Sequence, residues 1–178
     1  LLDPRAATIP LGSDHLYFHP YLQGEATPYM DNNLRGSFTG VTSYHTKSHF
    51  TRAVLEGVAF SLYDSLQVLV ELGLGFTQAS IIGGGAKSPL WRQIVADVLG
   101  VKLVKMRNDD SSFGSAMFAG VSIGVFPSCE ACLQRCTEVV DTTVPDADRH
   151  ASYKKHFANY KRIHDALAPL YGEYAAWT

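Results

Sequence analysis

What the 178-residue chain lacks narrows its identity first. It has no run of about 18 consecutive apolar residues, the length of a bilayer-spanning helix, so membrane insertion is not expected. It has no marked charge of either sign: 15 Lys and Arg stand against 17 Asp and Glu, for a formal net charge of −2. The basic residues are scattered and form no stripe to follow a phosphate backbone, which argues against nucleic acid as a partner. Cysteine is scarce: Cys129, Cys132 and Cys136 are an odd count in one short segment. With no cationic leader and cleavage site at the N-terminus, reduced thiols in a cytoplasmic protein are expected. An initiating Met is also missing. Leu1-Leu2-Asp3-Pro4 reads as mid-protein sequence, and the expectation is a piece of a longer chain.

Several catalytic motifs are absent as well. There is no D-x-G-[TS] segment, and neither H-x-x-x-H pair, His15 with His19 or His45 with His49, has the Glu of H-E-x-x-H. Packing or capping is the expected role of these histidines. The cysteines are spaced by three and four, which places their sulfurs on one helix face. Zinc needs a fourth ligand and no second C-x-x-C follows, so no metal site is expected there.

What is present reads as one α/β domain over residues 1–178, with residues 1–12 as a connector. The chain is 46% hydrophobic and 18% charged with 15 Gly, and long enough to hold its own core. His15 to Phe18 is a strand candidate, and Gln23 to Gly40, rich in Gly, Pro, Asn, Asp and Thr, reads as a long loop. In that loop Glu25, Asp31 and Arg35 are candidates to pair with one another. Phe50, Val54, Val58, Leu62, Leu66 and Leu69 recur at helical steps and predict a helix from Thr46 to Leu72, capped by the Thr46 hydroxyl and ended by Gly73 and Gly75. Ala79 to Ile82 reads as a strand, Ser88-Pro89 to Gly100 as a helix and Val101 to Met106 as another strand. A polar turn then follows at Asn108-Asp109-Asp110-Ser111. A small-residue helix, Ser112 to Ile123, is expected to pack closely on a neighbour through Gly114, Ala116, Ala119 and Gly120. Ser128 to Thr137 predicts a short helix, Glu138 to Val144 an extended piece, and Asp146 to Tyr174 a last helix with Pro169 as a kink.

The turn Gly83-Gly84-Gly85-Ala86-Lys87-Ser88 joins a strand to a helix. Glycines there let the backbone approach a ligand, and the helix N-terminus offers amides to anions, so a nucleotide is the natural guest. A P-loop is excluded because Ala86 and Ile81 occupy its two glycine positions. A dinucleotide fingerprint fits in part: Gly83, Gly85 and Asp109 match, and Ser88 fills the third glycine position. A structural glycine turn is the bland alternative.

Four segments together resemble the FGGY family of carbohydrate kinases. Gly36-Ser37-Phe38-Thr39-Gly40-Val41, a seven-residue gap, and His49-Phe50-Thr51-Arg52-Ala53-Val54-Leu55-Glu56 resemble its second signature. Pro20-Tyr21-Leu22-Gln23-Gly24-Glu25 with Thr27-Pro28, Asp31 and Arg35 resembles the PYLxGERTP segment of the family's xylulokinases and gluconate kinases, with Ala26 in place of the arginine. Gly83-Gly84-Gly85-Ala86 with Ser88, Trp91, Arg92, Gln93 and Ala96-Asp97 is similar to its adenosine motif, and Phe113-Gly114-Ser115-Ala116 to its later G-A-A helix. The resemblance implies an α/β, actin-like, ribonuclease-H-type ATPase lobe with a mixed sheet flanked by helices. It implies ATP and Mg2+ as cofactors and a sugar hydroxyl, on D-xylulose or a related pentulose, as phosphate acceptor. Gly83, Gly84, Gly85, Ala86 and Ser88 would be the nucleotide-binding residues, with Lys87 facing solvent. The family's catalytic aspartate, phosphate motif and sugar contacts precede the region that this chain resembles, so no catalytic residue is expected here and the missing N-terminal lobe would complete the enzyme. A gluconate or glycerol kinase and a non-enzymatic actin-like interaction or regulatory module are the alternatives, and a homodimer is left open.

Overall fold

A 25-residue helix, α1 (Lys47–Glu71), is the spine of the computed structural model, which describes residues 4–107 and 110–175. Residues 1–3 of the expected connector, and Asn108 and Asp109 of the expected polar turn, lie outside the described residues. Thr46 caps α1, and its backbone N–H donates to Nδ1 of His49 at 3.1 Å, so that His49 fills the place of the usual Glu or Gln of a capping box. At the other end Gly73 adopts φ +76° and the Leu74 N–H bonds to the Leu69 carbonyl at 2.8 Å, a Schellman stop. Two short strands, β1 (Tyr17–His19) and β2 (Ser37–Thr39), form an antiparallel ribbon in which Phe18 faces Phe38. β1 lies close against α1. A Cβ on Gly57 would stand 2.1 Å from the Phe18 carbonyl oxygen, so only glycine admits that approach.

β2 corrects the expectation of an unbroken loop from Gln23 to Gly40. Its three residues carry no strand pattern of their own and are extended because β1 supplies their partners. Within the same segment Glu25, Asp31 and Arg35 do not pair with one another through their side chains. Glu25 and Asp31 exchange backbone bonds of 2.9 and 3.0 Å, and the Glu25 carboxylate accepts from Ser61. The Asp31 carboxylate accepts from the Asn33 N–H, and Arg35 donates to the carbonyls of Asn32 and Leu34.

The second half is a small mixed sheet in the order β3-β4-β5. β3 (Gln78–Ser80) runs parallel to β4 (Lys102–Met106), with α2 (Pro89–Leu99) as the crossover, and β5 (Val139–Thr143) pairs antiparallel to β4. α3 (Ser111–Ser122) and α4 (Cys129–Cys136) lie between β4 and β5 in the chain and pack on each other, and α5 (Ala147–Ala175) closes the lobe against α1, α2 and β1. Asp146 caps α5 by accepting the Arg149 N–H at 2.9 Å. The core lies between α1, α2 and α5, around Phe60, Tyr63, Ile94, Val98, Tyr153 and Tyr160.

Helix α1 forms where its spacing predicts, but the apolar stripe Phe50-Val54-Val58-Leu62-Leu66-Leu69 is not its most buried face. Leu62 and Leu69 are substantially exposed, whereas Arg52, Glu56, Phe60, Tyr63 and Asp64 are buried. The polar residues go inside because each finds a partner. Glu56 Oε1 accepts from the Arg52 Nε at 2.7 Å, the Tyr153 hydroxyl at 2.9 Å and the Gly12 N–H at 3.1 Å, while its Oε2 accepts from the Ser13 hydroxyl at 3.2 Å. Arg52 Nη2 donates to the same Tyr153 oxygen at 2.8 Å. By mean hydropathy α1 is long and apolar enough to cross a bilayer, but half of its most apolar stretch is buried in the fold and these charged groups lie on it.

The Glu56 hub also holds an unusual turn. Gly12, Ser13, Asp14 and His15 have φ of +83°, +48°, +51° and +66°, a left-handed stretch that costs non-glycine residues about 1–2 kcal/mol each. A second tie on the turn runs from Nε2 of His49 to the Asp14 carboxylate at 3.1 Å.

Candidate functional site

The glycine turn sits between β3 and α2. Gly83 takes φ +78° with ψ −168°, a combination essentially restricted to glycine, and turns the chain out of the strand into a 3-10 turn over Gly84–Lys87. Ser88 then caps α2, its hydroxyl oxygen accepting the Trp91 N–H at 3.2 Å, with Pro89 at the first helical position and Gly100 as the left-handed stop at the far end. Above the turn lies an open cleft of about 660 Å³, lined by Leu55 of α1 and by Gly84, Gly85, Lys87, Ser88, Pro89 and Trp91. That volume is within the range of small-ligand sites.

The three glycines differ in what keeps them small. A Cβ on Gly83 or Gly84 would meet nothing within 4 Å, whereas one on Gly85 would strike the Trp91 indole nitrogen at 2.7 Å. Gly85 therefore makes room for Trp91, and Gly84 leaves room in the cleft. Ala86 is fully buried beneath the turn, and its carbonyl accepts from Arg92 Nη1 at 2.6 Å. The other guanidinium branch donates to Asp141 of β5 at 2.5 Å. Arg92 thus clamps the turn to the sheet. Of the residues expected to hold nucleotide, Gly84, Gly85 and Ser88 line the cleft, Gly83 provides the bend that leads into it, and Ala86 points into the lobe.

The remaining polar residues of the same segment also face inward. Asp97 is buried and accepts from Gln93 at 2.8 Å, from the Asp146 N–H at 2.8 Å and from Arg149 at 2.8 Å, so it joins α2 to the start of α5. Arg92, Gln93 and Asp97 build the site's support and not its surface. Sequence reasoning did not single out Leu55 for the site, because only the tertiary packing of α1 brings it to the turn.

The other candidates fall elsewhere. His45 and His49 sit at the head of α1, where His45 Nδ1 accepts from the Thr42 N–H at 3.0 Å. His19 is buried, stacked on Tyr160 at 4.1 Å and bonded through Nε2 to the Tyr160 carbonyl at 3.0 Å, and burial pulls its pKa down to about 4. Among the described residues no group of three His, Cys, Asp or Glu is arranged to hold a metal. Gly114 does not serve the close packing expected of α3, since a Cβ there would meet nothing within 4 Å. Gly120 does, facing the Phe126 ring at 3.0 Å.

A parallel strand-turn-helix-strand crossover extended by an antiparallel strand, with helices on its flanks, is the architecture of an actin-like ATPase lobe. The comparisons give the same fold class. A xylulose kinase and a gluconate kinase from Lactobacillus acidophilus superpose with TM-scores of 0.87 and 0.86, each 36% identical over 95% of this chain and 34% of theirs. Residues 3–123 match the C-terminal domain of the FGGY family of carbohydrate kinases, and the chain belongs to that family. A xylulose kinase of Staphylococcus epidermidis is 37% identical over 93% of the chain. The chain spans about a third of the length of such relatives, 34% in that case.

Proposed function

We propose that this chain forms the adenine-nucleotide side of an ATP-dependent sugar kinase, with Gly83, Gly84, Gly85 and Ser88 shaping the nucleotide site and Ala86 buttressing it from below. The observation that carries this reading is the cleft over Gly84. It opens at the N-terminus of α2, where the helix dipole favours anionic groups, and the indole of Trp91 and the side chain of Leu55 give it apolar surface for a base. None of its lining residues is a carboxylate, so these residues do not hold Mg2+, and no step here is assigned to the ion.

The rest of the kinase would come from the two-thirds of the relatives' length that this chain does not span. β3 supports that division: among the described residues it pairs only with β4, and the residues just before and after it, Phe76 and Ile82, are exposed. A free edge of this kind is a template for another strand. The acceptor in this reading is a sugar hydroxyl. D-xylulose is the favoured substrate because xylulose kinases recur among the similar proteins, although a gluconate kinase is as similar in identity as the xylulose kinase from the same organism.

Isothermal titration with ADP tests the reading. Binding at millimolar nucleotide without sugar turnover is the expected result. No heat at that concentration from folded protein would remove the nucleotide role.

A further inference from the structure

The cysteines, which the nucleotide reading leaves unused, occupy a distinct part of the lobe. α4 begins and ends in cysteine: Cys129 is exposed at its first position, Cys136 is partly exposed at its last, and Cys132 is buried between them. Cys132 is the buried residue of α4, and its sulfur lies 3.9 Å from the Met117 carbonyl of α3. The same sulfur lies 3.9 Å from that of Cys136. Cys132 and Leu133 of α4 and Met117, Phe118 and Val121 of α3 line a shallow apolar groove, so Cys132 is the point at which α4 is fastened to α3.

We propose that Cys132 and Cys136 form a peroxide-sensitive thiol pair whose oxidation to a disulfide loosens α4 from α3. Of this pair, the partly exposed Cys136 thiol is the one that hydrogen peroxide reaches. Its sulfur takes one peroxide oxygen to give a sulfenic acid and water. The Cys132 sulfur then attacks the sulfenic sulfur, the S–S bond forms, and the hydroxyl leaves as a second water with the Cys132 proton. Two thiols and one peroxide thus give one disulfide and two waters. Burial and the neighbouring thiol hold the Cys132 pKa above the usual thiol range, which disfavours it as the thiol that meets peroxide first.

Geometry gives the bond a mechanical consequence. Residues four apart on a helix have Cα atoms about 6 Å apart, within disulfide reach, but their Cβ atoms, about 5–6 Å apart, must close to about 4 Å. The sulfurs must approach from 3.9 Å to about 2 Å. Closing those gaps tightens the second turn of this two-turn helix, and the proposed loosening is the withdrawal of the Cys132 sulfur from Met117 as it does so.

The test is to treat the reduced protein with a few equivalents of hydrogen peroxide, block remaining thiols with N-ethylmaleimide, and map the products by mass spectrometry. The expected product has lost two hydrogens, joins Cys132 to Cys136 within one chain, keeps Cys129 alkylated and reverts with dithiothreitol. Cys129→Ser should leave the reaction intact, and Cys136→Ser should abolish it. Hydrogen exchange on the oxidised protein should rise in α4 and remain unchanged in α1. Three alkylated thiols after peroxide, a disulfide through Cys129 or between chains, or unchanged exchange in α4 would overturn the proposal.

Discussion

The two sides of this lobe treat their side chains in opposite ways. Between α1, α5 and the turn at residues 12–15, charged and polar groups are buried and partnered: Glu56 meets four donors, and Arg52 meets Glu56 and Tyr153. Along α3 and α4 the pattern reverses, with Phe118, Ile123, Val125 and Leu133 exposed and little that is charged between them. The first side is a rigid frame that fixes the left-handed turn and the head of α1. The second is a surface, held by one buried sulfur and a few apolar contacts. The glycine turn stands between the two: its floor is clamped by Arg92 and its roof is open.

Removing Glu56 should test that contrast most severely. Glu56→Ala leaves Arg52 buried without its carboxylate and frees the turn at Ser13, and the expected loss is about 3–5 kcal/mol in urea unfolding. An effect no larger than that of an exposed substitution on α3 would erase the distinction between the sides.

The next largest effect is expected from pH. His19 is buried neutral with its pKa lowered to about 4, and burial also lowers those of His156 and His164. The unfolded chain binds these protons first, so the stabilisation is present above about pH 6.5 and is lost as pH falls toward 4. For His19 alone this amounts to about 3 kcal/mol across that window. His19→Gln keeps a donor near the Tyr160 carbonyl and should flatten the acid limb of the stability profile. An unchanged limb would assign the acid loss to other groups.

Smaller changes probe the turn itself. Ser88→Ala removes the cap of α2 and should cost about 1 kcal/mol by thermal unfolding. Gly84→Ala adds a methyl group into open space and should change stability by no more than about 0.5 kcal/mol. A large loss for Gly84→Ala would mean that the cleft is packed in solution.

Much of the frame was legible in the sequence, and the reasons differ by element. α1 and α2 carry their own boundaries in Thr46, Gly73, Ser88 and Gly100, which act through local backbone geometry. The face that α1 buries was not legible from its leucines, because Arg52 and Glu56 are buried as a pair. Their spacing of four was the available signal. β2 was hidden because a three-residue strand takes its conformation from its partner. At the site, the glycine turn stood out by composition. The opposite fates of Gly84 and Gly85 depend on where Trp91 folds back, and Leu55 reaches the cleft only through tertiary packing.

The most direct test of the central claim is an amide correlation spectrum of the 15N-labelled chain recorded during titration with ADP. The account predicts shifts centred on Gly83, Gly84, Gly85 and Ser88 and on the Trp91 indole N–H, with the amides around Glu56 unmoved. Shifts centred on a separate open cleft lined by His15 and Arg162, or no shifts at millimolar ADP, would contradict it.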